Sequence, residues 1–360
     1  MLRSLLRKVA GSVPLSVHRL ITRRDVLGFY YHVVSDEPLP HIRLYSYKSA
    51  RMFESDLIHL AQNFNPITYE QLVAHRSGGQ RLKPRSVILT FDDGLSECYS
   101  VVRPLLLKHG IPCVFFIPID YIDNRKMLPD NKASLCIDAV VALRSSARSY
   151  VMRTFSDALG KELSNDVDLM RSIRSAVAHD HSAIDRLCQV LGIDVQRYLE
   201  ARRPCMSSEE IRCLAADGFT IGAHSVSHRR FDSLTDLEAA EEISASCRVI
   251  ASLSGKSQVP FAFPFSADGV SGDMLRELRM RSRHVGLLFD TRGVLQELDF
   301  MIGRMCGDWP SASGQEESTL QQVVADAYEA DLVRRVRRLW ARLWVQRSGP
   351  PDKACSGGGG

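Results

Sequence analysis

Apolar residues along this chain gather into short unbroken runs. They are "VLGFYYHVV" (26–34), "SVILTF" (86–91), "PCVFFIP" (112–118), "FTIGA" (219–223), "VPFAFPF" (259–265), "HVGLLF" (284–289) and "DFMIGRM" (299–305). Runs rich in β-branched and aromatic residues and apolar on both faces predict parallel strands covered on each side by helices. Stretches of helical period lie between them, at 49–62, 98–109, 208–217, 235–253 and 271–282. Ser207 and Glu210 stand at capping-box spacing before one of these, and "ADGF" (216–219) supplies a glycine stop after it. Seven such strands predict an α/β fold, an incomplete (β/α) barrel whose chemistry collects at the strands' C-terminal ends. The alternation breaks over about 121–206, where "IDAVVALRSSARSYVMRTFSDAL" and "AIDRLCQVLGIDVQRYLEA" are amphipathic and helical. A helical insertion, not a second catalytic domain, is expected there.

The 360 residues are 45% hydrophobic, enough to fill one large core. Charge changes the picture only once it is located. Residues 1–24 carry six basic residues and no acid, and 331–347 carry six arginines against one aspartate. With +4 on the whole chain, the remainder bears −7, which argues against a nucleic-acid-binding core. The chain divides into a basic N-terminal segment (1–25), a main domain (26–310), a C-terminal helix (311–347) and a disordered tail (348–360). In "DLVRRVRRLWARLW" (331–344), Val333, Val336, Trp340 and Trp344 share one helical face and the arginines lie largely on others. Such a helix packs on the barrel or a partner subunit, or lies on an anionic membrane surface. Nine scattered cysteines without a CxxC pair read as reduced thiols, and no secretory leader or bilayer-spanning run is evident. The expectation is a soluble cytoplasmic protein, with peripheral contact at the membrane's inner face left open.

Two loops carry the chemistry. "VILTFDDG" (87–94) ends a strand on Asp92 and Asp93, and like charges so close need a compensating cation. "IGAHSVSH" (221–228) follows another strand and sets His224 and His228 four apart, where both imidazoles can face one point. Either motif alone is ordinary, a turn or a pair of unrelated histidines. Together, at the ends of two strands, they make a two-His, one-carboxylate set with a spare aspartate as base. Zn²⁺ lowers the pKa of water bound to it from 15.7 to about 7, within reach of a neighbouring carboxylate.

At these residues the sequence resembles the polysaccharide deacetylases, the NodB-homology carbohydrate esterases. "TFDDG" (90–94) and "HSVSH" (224–228) resemble their first two motifs, and "FAFPFS" (261–266) a degenerate third. "YYHVV" (30–34) and "FESDLIHL" (53–60) are similar to the poly-N-acetylglucosamine deacetylase branch. The resemblance spans about 26–310, interrupted by the insertion, and implies the incomplete (β/α)7 barrel of that type. It implies Asp93, His224 and His228 as ligands of a divalent ion, Zn²⁺ first, with Co²⁺, Ni²⁺ or Mn²⁺ as alternatives. It further implies Asp92 as general base, the Phe265 backbone N–H as oxyanion donor, and an N-acetylated glycan as substrate; the charge of the basic ends, not a motif, adds a lipid-linked sugar as a candidate.

Three departures stand out. Ala262 occupies the place of the third motif's arginine; Arg304 is a candidate substitute, a strand-end ion pair being the other reading. Of the fourth motif only "GDW" (307–309) remains. No histidine follows His284 to serve as the late acid, so His32 becomes the candidate acid, against the ordinary reading of a satisfied core residue. His59, His75 and His109 have no evident partners and receive no role. Deacetylation of an N-acetylated saccharide is the leading expectation. An O-acetyl esterase or other amidohydrolase and a catalytically silent glycan binder remain alternatives, while "FDDGL" lacks the DxD spacing of an aspartyl-phosphate phosphatase.

Overall fold

The computed structural model describes residues 26–179, 181–294, 298–309, 320–331 and 334. Eight strands are present: β1 (Val26–Tyr31), β2 (Asn65–Pro66), β3 (Ser86–Phe91), β4 (Val114–Ile117), β5 (Thr220–Ala223), β6 (Val259–Ala262), β7 (Val285–Asp290) and β8 (Met301–Cys306). All pairings between them are parallel. β1 pairs along its whole length with β3 and, on its other side, sets Gly28, Phe29 and Tyr30 opposite Arg304, Met305 and Cys306 of β8. The sheet therefore closes, β1-β3-β4-β5-β6-β7-β8, into the seven-stranded barrel that the apolar runs predict. β2, two residues paired to the start of β3, is among the described residues the one strand the sequence pattern did not announce; Pro66 explains why, since it cannot extend a ladder.

Helices cover the barrel: α1 (Ala50–Asn63), α2 (Tyr69–Arg76), α3 (Arg103–His109), α9 (Ser208–Ala216), α10 (Asp236–Ser254) and α11 (Gly272–Arg281). The insertion supplies α4 (Pro129–Ala142), α5 (Ser145–Leu159), α6 (Asp166–His179), α7 (His181–Val190) and α8 (Val195–Arg202). Ser207 and Glu210 form the capping box expected of α9. The helix predicted at 98–109 is regular only from Arg103; Cys98–Val102 form a wider π-type turn ahead of Pro104. Proline offers no N–H to the preceding turn, which loosens the helix there.

Aromatic residues fill the barrel and its helical cover. Tyr31 stacks on Phe91 at 5.4 Å, and Phe53 of α1 meets both edge-on. Behind this wall a buried Lys48 is ion-paired with buried Asp56, whose Oδ2 also accepts the Tyr31 hydroxyl at 2.8 Å. The insertion keeps a separate core, built around Cys136, Phe155, Leu169, Ile173 and Leu187. Its return to the barrel is stitched to the loop after β3, where Met206 N–H donates to Gly94 O and Ser96 N–H to Pro204 O, each at 2.9 Å.

Residues 24–321 form one compact unit; a second comprises 1–23 and 322–360. Residues 320–331 are helical. The basic segment 1–25, most of the amphipathic stretch 331–344 and the tail 348–360 lie outside the described residues. Among the described residues no helix is long and apolar enough to cross a membrane, and the cysteines are free thiols.

Candidate metal centre

Parallel strands end at one rim of the barrel, so the residues after β1, β3, β5, β6, β7 and β8 share a neighbourhood. After β3, Asp93 (φ 70) and Gly94 (φ 64) take left-handed backbone and turn the chain sharply across the rim. After β5, Ser225 (φ 68) and His228 (φ 58) do the same. This loop is fastened from α10, where Glu242 Oε2 accepts the N–H groups of Val226 (2.7 Å) and Ser227 (3.1 Å). Non-glycine residues rarely hold such angles, and where they cluster a site is being shaped.

The two loops bring Asp93, His224 and His228 together, all buried, with ligand atoms within 4.8 Å of one another. Asp93 Oδ1 lies 3.5 Å from His224 Nε2 and 3.1 Å from His228 Nε2, yet it is buried with no hydrogen-bond partner. His224 Nδ1 stands 2.9 Å from the Ala262 carbonyl, which can only accept; the proton is therefore on Nδ1 and a lone pair faces Asp93. A carboxylate oxygen and two imidazole nitrogens converging on one point suit a cation. Bonds of about 2.0–2.1 Å at tetrahedral angles would set ligand atoms about 3.3–3.4 Å apart, close to the spacing found. The residues present fit a divalent ion. Burial alone would push the Asp93 carboxyl up, but the His228 and His224 imidazoles hold it well below the usual carboxylate range.

Asp92 is held differently. Its Oδ1 and Oδ2 accept Arg304 Nη1 and Nη2 at 2.6 and 2.9 Å, a bidentate pair. Nη1 also donates to Thr90 Oγ1 at 2.8 Å, which donates in turn to Phe29 O. Arg304 is wholly buried, sleeved by the rings of Tyr30, Phe116 and Phe289. A Cβ on Gly28 would come within 2.9 Å of the Arg304 Cγ, so the glycine of β1 makes room for the side chain. The guanidinium thus reaches Asp92 from β8, while at Ala262 only the backbone carbonyl meets the site.

His32 follows β1 and is 22% exposed; its Nδ1 lies 2.6 Å from Asp308 Oδ2, and its ring packs against Tyr45. Burial lowers its pKa, but the Asp308, Asp93 and Asp92 carboxylates outweigh that and raise it to about 10. A Cβ on Gly307 would strike the Tyr31 ring, so this glycine lets the chain cross close enough to present Asp308. Phe265 is left-handed (φ 60), and its loop is clamped from β7: Asp290 Oδ1 accepts the N–H groups of Ala267 (3.0 Å) and Thr291 (2.8 Å).

All seven sequence-selected residues except Arg304 line one cavity of about 580 Å³, and Arg304 lies directly behind Asp92. The same cavity is lined by Tyr30, Tyr45, Asp130, Asp308 and Trp309. Of these, Tyr30 stood in "YYHVV" and Asp308 and Trp309 in "GDW", while Asp130 is hidden in a helical insertion and Tyr45 in an irregular loop. His109, expected to lack a partner, lies 2.8 Å from Glu54 Oε1 and does not line the cavity.

A family model described as polysaccharide deacetylase matches residues 79–163 and 181–282. Among solved structures, the deacetylase PplD of Streptococcus pyogenes is 12% identical, with 83% of this chain and 97% of that chain covered and a TM-score of 0.51. IcaB from Ammonifex degensii is 17% identical over 84% of this chain and 97% of that chain, with a TM-score of 0.49. The first of these likenesses supports the fold. No curated protein matches the chain.

Proposed function

Because the chain belongs to the polysaccharide deacetylase family, we propose that it hydrolyses the acetamide of an N-acetylated saccharide, with a divalent ion held by Asp93, His224 and His228. The observation that carries this reading is the division of labour between adjacent aspartates: Asp93 faces the Nε2 atoms of two imidazoles, while Asp92 is tied to a guanidinium. A structural metal site has no use for the second carboxylate. An ion such as Zn²⁺ supplies Lewis acidity toward the acetyl oxygen and acidifies water. Asp92 then takes the proton of the attacking water, and Arg304 keeps that carboxylate aimed. The Phe265 N–H donates to the oxygen that gains charge. His32 gives a proton to the departing amine, with Asp308 fixing Nδ1 so that Nε2 is the donating nitrogen.

The test is acetate release from N-acetylglucosamine oligomers, with O-acetylated sugars alongside, by zinc-loaded and chelator-stripped protein. Release from the N-acetyl substrates that stops on stripping and returns with zinc is expected. A loaded protein that frees acetate from none of them would defeat the reading.

The acid's role makes a pH prediction. A general acid must be protonated, so the rate is present below its pKa and falls as pH rises through it. Asp93's pull on His32 is spent on the ion in the loaded protein, but Asp308's is not. Asp308→Asn should therefore move the alkaline limb of kcat to lower pH, toward the unperturbed imidazole value of about 6.5. An unmoved limb in pH–rate profiles would exclude His32 as the acid.

A further inference from the structure

We infer that Asp130, on the first helix of the insertion, is the carboxylate that holds His228 in ligating posture. This rests on the proposed ion at Asp93, His224 and His228. The two histidines differ in how their outer nitrogens are treated. His224 Nδ1 donates to the Ala262 carbonyl at 2.9 Å, which fixes tautomer and ring together. His228 Nδ1 is buried and has no hydrogen-bond partner. The carboxylate oxygen facing it, Asp130 Oδ2, is also buried and also lacks a hydrogen-bond partner, 3.8 Å away.

A buried donor and a buried acceptor left unmade beside each other are each costly, and one small approach satisfies both. His228 can present a lone pair at Nε2 only if its proton sits on Nδ1, and an anionic acceptor at Nδ1 favours that tautomer. Carboxylates in this position orient metal-bound imidazoles and raise their basicity. The place of Asp130 in the fold explains how it is held there. Pro129 starts α4, so Asp130 sits in that helix's first turn, where the peptide dipoles favour a negative charge. A carboxyl in that setting gains from an imidazole donor. Asp130 is thus a positioning residue contributed by the insertion, which makes the five-helix unit part of the metal centre's outer support.

The experiment measures zinc affinity of the full chain by competition with a chromophoric chelator, and the visible spectrum of the cobalt-loaded protein. Asp130→Ala removes the acceptor and should weaken zinc binding about 10–100-fold, with altered cobalt bands. Asp130→Asn keeps a neutral acceptor of the same shape and should fall between parent and alanine. Lys132→Ala, on the same helix as Asp130, breaks that helix's ion pair to Asp185 of α7 (2.6 Å); it controls for a loosened helix and should leave both readouts unchanged. An Asp130→Ala protein within about two-fold of the parent, with an unaltered cobalt spectrum, overturns the inference while leaving the deacetylase reading intact. Equal weakening by Lys132→Ala overturns it too, because the effect would then belong to the helix. A parent that binds no zinc overturns both.

Discussion

Arg304→Met is expected to cut acetate release at neutral pH by two orders of magnitude or more and to cost about 3–5 kcal/mol of stability. The guanidinium is fully buried and makes both hydrogen bonds to Asp92. Methionine fills much of the same sleeve between Tyr30, Phe116 and Phe289, so the loss is chiefly of charge and hydrogen bonds. Arg304→Lys keeps the charge but not the fork and should fall in between. Denaturant unfolding and acetate release check both halves. A methionine variant as stable and active as the parent would mean that the pair is incidental to the base.

Asp92→Asn should abolish catalysis, by about 10²–10⁴-fold, while zinc stays bound, because the three ligating atoms are untouched. An amide cannot take the proton from water. It also leaves Arg304 buried without its counter-charge, so some stability is lost for a reason unrelated to catalysis. The double variant Asp92→Asn/Arg304→Met separates the two effects. Removing both partners should regain much of the stability lost by either single change and none of the activity. Zinc content, denaturation midpoint and acetate release on the four proteins complete the cycle. Zinc lost from Asp92→Asn would instead make Asp92 a ligand and undo the division between the two aspartates.

Much of this was legible in the chain. The seven apolar runs became the seven barrel strands because a strand buried on both faces must be apolar throughout. The two loops that carry Asp92, Asp93, His224 and His228 declared themselves by standing at strand ends. What could not be read was how residues far apart in sequence meet across the closed barrel. Arg304 lies in the middle of a strand, and nothing in "DFMIGRM" says that Gly28, on the strand beside it, leaves room for a guanidinium. The sequence offered His32 and "GDW" as separate fragments, and they became a pair only when β8 came alongside β1. Asp130 gave no sign, since one acid at a helix start is commonplace and its meaning comes from the ring nitrogen it faces.

The insertion's separate core has an evolutionary consequence. Its five helices leave the barrel after β4 and return at the loop that bears Asp93, and their apolar interior is their own. Substitutions on its outer surface therefore need no repacking of the barrel. One wall of the cavity is free to diversify among descendants of this chain while the reacting groups on the strand ends stay constant. Exchanging the insertion's cavity-facing residues between relatives, such as Arg174, with Asp130 retained, should transfer saccharide preference without rebuilding the hydrolytic machinery.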